Sequence, residues 1–508
     1  VRPSDWLDLT PPGATEQKFV GLIAVFNQSS NYVALRASVS SGTYTVDWGD
    51  GSSPVTVTSN TTAEYNYSYS SLGSGTLSSR GYRQAIVTVT PTTAGATFSL
   101  FGLNYRHSAR TSASTVATWL DVAVSAPNAT TLRLGGRDSG GTQTVLLRFL
   151  EQARIVAHNT TTMASMFADC SALQSVPLFN TAAVTSMSQM FRNCASLQSV
   201  PLFNTAAVTT MTIMFSGCSA LQSVPLFNTA AVTDMSSMFQ DCASLQSVPL
   251  FNTAAVTGMS TMFNGCSSLQ SVPLFNTAAV TGMSTMFQSC SSLQSVPLFN
   301  TAAVTGMLNM FSGCSSLQSV PLFNTAAVTN MTSMFTSCGA LREIPELTMS
   351  SISSAGNNNM GLTGSVTLGK AKLTGMRWTQ SFSGCNMGVT ELNEMYTALA
   401  VLNPNVTNAS GNGTTVTYTV DDISAFVAAR TVTMTGITPS AYNLTNATVA
   451  SVNTASKTFT VTNAATGTYV SGGVAAIQDN RTITVTGNPG VTGDDTTIAT
   501  NKGWTVTG

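Results

Sequence analysis

Cysteine is the residue type in this chain whose placement most invites a chemical reading. Cys170, Cys194, Cys218, Cys242, Cys266, Cys290, Cys314 and Cys338 stand 24 residues apart, and Cys385 follows after 47 more. Thiols in such a register could pair as disulfides, ligate a metal or fill a core as small hydrophobes. There is no Cys-x-x-Cys, and His107 and His158 are the only histidines. Each cysteine instead shares its unit with Met and Phe, which favours a ladder of buried thiols, with disulfide or metal ligation as the alternatives. Asp47 and Asp50 could hold calcium, although Asp in turns more often accepts backbone N–H groups. Catalysis requires paired groups with tuned pKa values, yet between Ser171 and Cys338 the charged residues are Arg192, Asp234 and Asp241 alone. No phosphate loop, nucleophile elbow or metal signature is present. The expectation is a chain that is not an enzyme and binds no cofactor or metal.

The cysteines are positioned by an internal repeat. The segment Leu-Gln-Ser-Val-Pro-Leu-Phe-Asn-Thr-Ala-Ala-Val-Thr recurs unchanged in seven copies, from residues 173–185 through 317–329. Leu173, Val176 and Leu178 fit the Leu-x-x-Leu-x-Leu strand of a leucine-rich repeat. Pro177 has no N–H to give a ladder, so the strand is expected to be very short or interrupted. Met187, Met190 and Phe191 follow at helical spacing and predict a short helix or turn on the opposite side. Eight or nine buried apolar side chains stabilise a unit by roughly 1.5–3 kcal/mol each, whereas ordering its backbone costs about 1–2 kcal/mol per residue. One coil therefore cannot fold alone, and stacked coils must share a continuous core.

The units beginning "MFADCSALQSVPLFNTAAVTSMSQMF" resemble the BspA-type leucine-rich repeats of bacterial surface proteins, with their Met-Phe-x-x-Cys-x-x-Leu, Phe-x-Thr and Val-Thr-x-Met pattern. The resemblance covers about residues 163–345. It implies a leucine-rich solenoid and a role in adhesion, and similar repeats occur in phage structural proteins. The chain departs from the pattern at Pro177 and at Asn180, where the family often has Asp.

Against this frozen background, three columns vary. One reads Ser186, Thr210, Asp234, Gly258, Gly282, Gly306 and Asn330. The next reads Gln189, Ile213, Ser237, Thr261, Thr285, Asn309 and Ser333. The third reads Ala168, Arg192, Ser216, Gln240, Asn264, Gln288, Ser312 and Thr336. Two readings stand: a face drifting freely, or a recognition surface offering small polar groups to a glycan or protein. The residues named for the second reading are Ser186, Gln189, Arg192, Thr210, Ile213, Asp234, Ser237, Gln240, Thr261, Asn264, Thr285, Gln288, Asn309 and Asn330.

The remaining chain is mainly β. Residues 1–18 read as an N-terminal arm able to dock on a partner. Residues 19–100 alternate apolar and polar positions in "FVGLIAVF", "YVALRASV", "YTVDWGDG" and "AIVTVTPT", as in a β-sandwich. The Trp48-Gly49-Asp50-Gly51 turn resembles that of PKD-type immunoglobulin-like domains. Residues 101–162 are expected to cap the solenoid, which spans 163–345. Residues 346–402 carry an insertion, degenerate repeats and a helix at 389–402 that ends the array. Residues 403–508 form a C-terminal β-rich region, with a helical turn capped near Asp494 or Asp495.

Composition narrows the partners. Charged residues make up 8% of the chain and the net charge is −1, against roughly 25% charged residues in an ordinary domain. That excludes the basic footprint of nucleic-acid binding and a polybasic membrane signal. No apolar run reaches the roughly 20 residues that span a bilayer. The first residues, Val-Arg-Pro-Ser-Asp-Trp-Leu-Asp-Leu, lack the apolar core of a secretory signal; if only an initiator Met precedes Val1, release by lysis is favoured, whereas a leader ahead of Val1 would favour export. The expectation is a phage virion protein, part of a tail, tail fibre or capsid surface. It would join other virion proteins through its N-terminal region, meet a host-surface glycan or protein, and form a homo-oligomer. The alternative is a bacterial cell-surface adhesin.

Overall fold

A computed structural model describes residues 2–28, 30–110, 114–137, 144–352, 359–376, 378–477 and 481–508. Part of the insertion expected at 346–375, residues 353–358, lies outside them. The chain is mainly β and divides into two compact units, Val1–Ala279 and Val280–Gly508.

The first unit opens with β1 (Lys18–Val25), β2 (Asn31–Val39), β3 (Thr43–Asp47), β4 (Val55–Thr58), β5 (Thr62–Tyr67), β6 (Arg83–Pro91) and β7 (Phe98–Gly102). It continues with β8 (Ser114–Val116), β9 (Trp119–Ala126), β10 (Thr131–Arg133), β11 (Gly136–Arg137), β12 (Thr144–Leu146) and β13 (Gln152–His158). One sheet runs β13-β9-β1-β6-β3-β4 and a second runs β10-β7-β2-β5. The Phe19 ring of β1 stacks on Phe101 of β7 at 4.6 Å, joining the sheets face to face.

The near-continuous apolar run of β1 follows from cover on both faces. Phe19 faces the second sheet, while Val20, Leu22 and Ala24 pack with Trp6, Leu9, Leu120 and Ala123 on the other side. Residues 2–9 are thus no projecting arm. Trp6 Nε1 donates to Tyr82 Oη at 2.9 Å, and Arg2 joins Arg154 on the fully buried carboxylate of Asp121, at 2.9 and 3.1 Å.

The boundary expected at residue 100 also moves. β9 pairs with β1 through Phe19↔Val124, and β13 pairs with β9 through Gln152↔Asp121. Both belong to the main sheet. The ionisable Asp121 interrupts an otherwise apolar run and hides this strand from a hydropathy reading, since its two arginine partners are remote in sequence. At the β3–β4 turn, Asp47 and Asp50 accept the N–H groups of Gly49 and Ser52 at 2.9 and 3.1 Å, so their carboxylates serve the turn. Gly49 has φ +71°, and a Cβ there would lie 2.1 Å from the Ile86 carbonyl oxygen, so only glycine fits.

From Thr160 the coils begin, seated on the preceding region by the Leu134 and Gly135 N–H groups, which donate to the Met166 carbonyl at 3.2 and 2.9 Å. The helical spacing of Met187, Met190 and Phe191 resolves as successive turns. Gln189 and Asn193 take φ +59° and +60°, which no helix accommodates. As a result, backbone N–H groups alternate in direction. Those of Met190, Arg192 and Cys194 bond within the coil to residues three earlier, while those of Met187, Gln189, Phe191 and Asn193 reach the next coil at Thr210, Thr212, Met214 and Ser216.

On the Leu side, no strand forms in the frozen copies of the first unit among the described residues. There the inter-coil backbone bonds are Ser196 N–H to the Ser171 carbonyl, 3.1 Å, and Gln198 N–H to the Gln174 carbonyl, 3.2 Å, with their equivalents. Beyond them the Phe203 N–H turns back to the Pro201 carbonyl at 2.9 Å. That i to i+2 bond is a γ-turn; it places the intervening Leu202 at a corner. The template expectation for Leu178 is therefore reversed: Leu178 is 65% exposed and Phe179 is buried. The core of one coil comprises Val184, Met187, Met190, Phe191, Cys194, Leu197, Val200 and Phe203, all buried.

In the second unit the coils continue, and β14 (Glu343–Thr348) pairs in parallel with β15 (Lys370–Thr374). β16 (Gln380–Ser381) and α1 (Val389–Ala398) follow, with the helix ending four residues before the expected limit. β17 (Val406–Asn412), β18 (Thr415–Val420), β19 (Thr431–Thr435), β20 (Leu444–Asn453), β21 (Thr458–Thr462), β22 (Thr466–Thr468) and β23 (Val474–Ile477) make one seven-stranded sheet. β24 (Thr482–Thr484), α2 (Thr497–Thr500) and β25 (Thr505–Thr507) complete the unit. β24 lies between β16 and β25, parallel to both, so the sheet of residues 406–477 is inserted within a coil layer. Cys385 extends the repeat, its Sγ donating to the Leu362 carbonyl at 3.3 Å.

Candidate recognition surface

Each coil is locked to the next by groups drawn from the invariant segment. The Thr181 hydroxyl, buried, donates to the Asn204 carbonyl at 2.8 Å, and the pairs Thr205–Asn228, Thr229–Asn252 and Thr253–Asn276 repeat the bond at 2.8 Å. The Asn180 side chain accepts the Ala182 N–H at 3.0 Å, an Asx turn that an Asp would make equally well. All nine cysteines are free and buried. Cys218 Sγ donates to the Phe191 carbonyl at 3.1 Å, and that oxygen also accepts the Cys194 N–H at 3.1 Å. The thiol thus satisfies the second lone pair of a carbonyl that would otherwise be half-used in the core. Burial pushes the thiols up, Cys338 to about 12 and Cys385 to about 11, so the thiolate needed for ligation or exchange is disfavoured. Among the described residues, no cluster of three or more His, Cys, Asp or Glu could hold a metal.

The variable columns sit along the turn tract, side by side in each coil, and every residue named for recognition is half-buried. In the first column, parallel bridges join Ser186 to Thr210, Thr210 to Asp234, and Asp234 to Gly258, and in the second unit Gly306 to Asn330. The side chains of Asp234 and Asn330 accept the N–H two residues on, at 2.8 and 2.9 Å, closing the turn. The second column is left-handed throughout: Gln189, Ile213, Ser237, Thr261, Thr285 and Asn309 have φ between +54° and +63°. Asn suits that conformation; the β-branched Ile213, Thr261 and Thr285 are strained there. In the third column, Arg192 pairs with Asp169 at 2.9 Å and reaches the Gln189 side chain at 3.3 Å. Gln240, Asn264 and Gln288 follow at the same place in later coils.

A second surface feature is absent from the sequence reading. Leu178, Leu202, Leu226, Leu250 and Leu274 of the first unit are 59–65% exposed, and Leu298 and Leu322 of the second unit hold the same place in their coils. The one sequence signal for it is the Pro directly before each of these leucines.

Elsewhere, a groove beside α1 is lined by Lys370, Lys372, Asn393, Glu394 and Thr397. Its lysines are half exposed and paired, Lys372 with Glu346 at 2.7 Å and Lys370 with Glu394 at 3.6 Å. Among the described residues, no helix is long and apolar enough to cross a membrane.

The family model described as "Mycoplasma protein of unknown function, DUF285" matches residues 161–272 and 244–348. No curated protein matches the chain. Solved structures similar to it include a leucine-rich repeat protein from Eubacterium ventriosum, 16% identical, covering 51% of this chain and 60% of that one with a TM-score of 0.26. The TLR13–ssRNA13 complex is 12% identical over 54% of this chain and 49% of that one, TM-score 0.18. The Toll–Spatzle complex of Drosophila is 15% identical over 54% and 38%, TM-score 0.21. The match spans less than two thirds of each of these proteins, and no function is taken from them.

Proposed function

We propose that this chain is a non-enzymatic surface recognition protein that presents the variable turn tract of its repeats to a macromolecular partner. One observation carries the reading. The backbone of the tract is the same from coil to coil, including the left-handed φ of the Gln189 column, while the side chains it displays change from Gln to Ile, Ser, Thr and Asn. A scaffold that holds geometry constant and varies the side chain is suited to recognition. The groups offered are mostly hydroxyls and amides, which suit the hydroxyl-rich surface of a glycan or the backbone of a protein. The near absence of charge in the tract argues against a nucleic acid or an anionic membrane as the partner.

Within this class, the array is a BspA-type leucine-rich solenoid, and the two-sheet region before it an immunoglobulin-like domain of the PKD type. The setting is a phage particle, with the chain on the tail or capsid surface and directed at the host. The test is immunogold electron microscopy with antibody against the repeat segment, applied to cells and to the particles released on lysis. Gold on tails or capsids is the expected result. Label confined to the cell envelope overturns the virion setting and assigns the protein to bacterial adhesion.

A further inference from the structure

The exposed leucines of the first unit form a ridge with one Leu per coil, and we propose that this ridge is where a second copy of the chain docks. Leu202, Leu226, Leu250 and Leu274 stand at γ-turn corners in successive coils and Leu178 at the equivalent place in the coil before them, 59–65% exposed. Their flanks, the Gln174 and Ser175 columns, are exposed and carry no charge.

Three observations select a second copy as the occupant. The first is pitch. The Phe rings that follow these leucines lie 5.0 Å apart from Phe179 to Phe203 and 6.5 Å apart from Phe251 to Phe275, so the ridge repeats at an interval of that order, and a partner meeting every leucine must offer apolar groups at the same interval, as another ridge does. The second is area. A Leu side chain carries on the order of 100 Å² of apolar surface, so five leucines at this exposure present roughly 300 Å² between them, and their uncharged proline, glutamine and serine borders supply the rest of the ~800 Å² per partner of a standard interface. The third is uniformity. The ridge and its flanks are identical in every copy of the segment, while the turn tract varies. An interface made with the same partner at each coil calls for that constancy. The absence of charge removes repulsion between two like surfaces and leaves a charged partner nothing to pair with. Two ridges running in opposite directions satisfy twofold symmetry, each lying alongside the other so that the leucines of one copy pack against the leucines of its partner.

The experiment is sedimentation velocity over a wide concentration range on the full chain and on the double variant L226E/L250E. Both positions are solvent-exposed, so the variant should keep its circular dichroism spectrum and melting curve at low concentration. The wild type should dimerise, and the variant's dissociation constant should rise by at least roughly 100-fold, because two buried leucines become two facing charges. In parallel, L226C treated with a bifunctional maleimide should yield a covalent pair of chains, while the buried native thiols stay silent. A wild type that is monomeric at every concentration, or a dimer that L226E/L250E leaves intact, overturns the proposal.

Discussion

Leu250 and Phe251 are adjacent, and the structure assigns them opposite fates that mutation can tell apart. Leu250 is 60% exposed at the corner of its γ-turn, whereas Phe251 is 2% exposed, with its ring 6.3 Å from Phe239 and 6.5 Å from Phe275. Phe251→Ala removes a buried ring and two stacked contacts. It should cost about 3–5 kcal/mol, towards the upper end because stacked pairs add beyond burial. Leu250→Ala removes solvated surface and should stay within about 0.5 kcal/mol. A leucine-rich template with Leu inward gives the reverse order, about 2–5 kcal/mol for the leucine. The measurement is urea unfolding followed by circular dichroism, at a protein concentration low enough to keep the chain monomeric. Native-state hydrogen exchange would then locate the damage. In a nearest-neighbour array, protection should fall in the coils flanking Phe251 and persist in the sheet containing β1 and β6. A Leu250→Ala loss above about 2 kcal/mol, or a Phe251→Ala loss below about 1 kcal/mol, would refute the assignment of the γ-turn.

Other expectations follow from the same geometry. The thiols should resist alkylation in the native state and all react in denaturant. Cys385 and Cys338, at about 11 and about 12 when folded, lie above the usual thiol value of 9.0. Their stabilising contribution is therefore complete below pH 9 and lost as pH rises through 11 and 12, so melting temperature should fall across that alkaline window. Asp121→Asn should destabilise the first unit by about 3–5 kcal/mol, because two guanidinium groups lose their carboxylate. It should also release residues 2–9 to proteolysis, and unchanged proteolysis would mean that the arginine pair does not hold them. Ile213→Asn should be neutral or stabilise by up to about 1 kcal/mol, since relief of a left-handed β-branched residue offsets its half-buried apolar area. A loss above about 1 kcal/mol in a thermal melt would show that Ile213 is held by packing rather than tolerated.

The period, the core columns and the site of the turns were legible because tandem copies make every constraint visible several times over. The cysteine ladder was readable from the Met and Phe beside it, though its bond to a carbonyl one coil away was not. The direction of Leu178 was misread because a period-two template assumes an extended chain, whereas the chain turns a corner at this column, as the γ-turn from Pro201 to Phe203 shows at the equivalent Leu202. The extent of the N-terminal sheet escaped for another reason. Trp119–Ala126 is buried throughout, yet it contains Asp121, and the arginines that neutralise it are 119 and 33 residues away. The split last layer was equally hidden, since β16 and β24 are each only two or three residues long and are separated by a whole sheet. Of the candidate surface, the sequence showed which residues vary. It could not show that they are half-buried and conformationally constrained, because that depends on the left-handed turns beneath them.

The most direct test of the recognition account is binding of the purified chain to whole bacterial cells and to immobilised capsule and lipopolysaccharide preparations. A variant carrying Arg192→Ser, Ile213→Ser, Asp234→Ser and Gln240→Ser would be compared with the wild type. These positions lie in the variable tract and outside the core, so the variant should fold, as its circular dichroism would report. The account predicts that the wild type binds at least one such surface and that the folded variant loses most of that binding. Equal binding by a folded variant, or binding that follows the N-terminal sheets expressed without the coils, would contradict it.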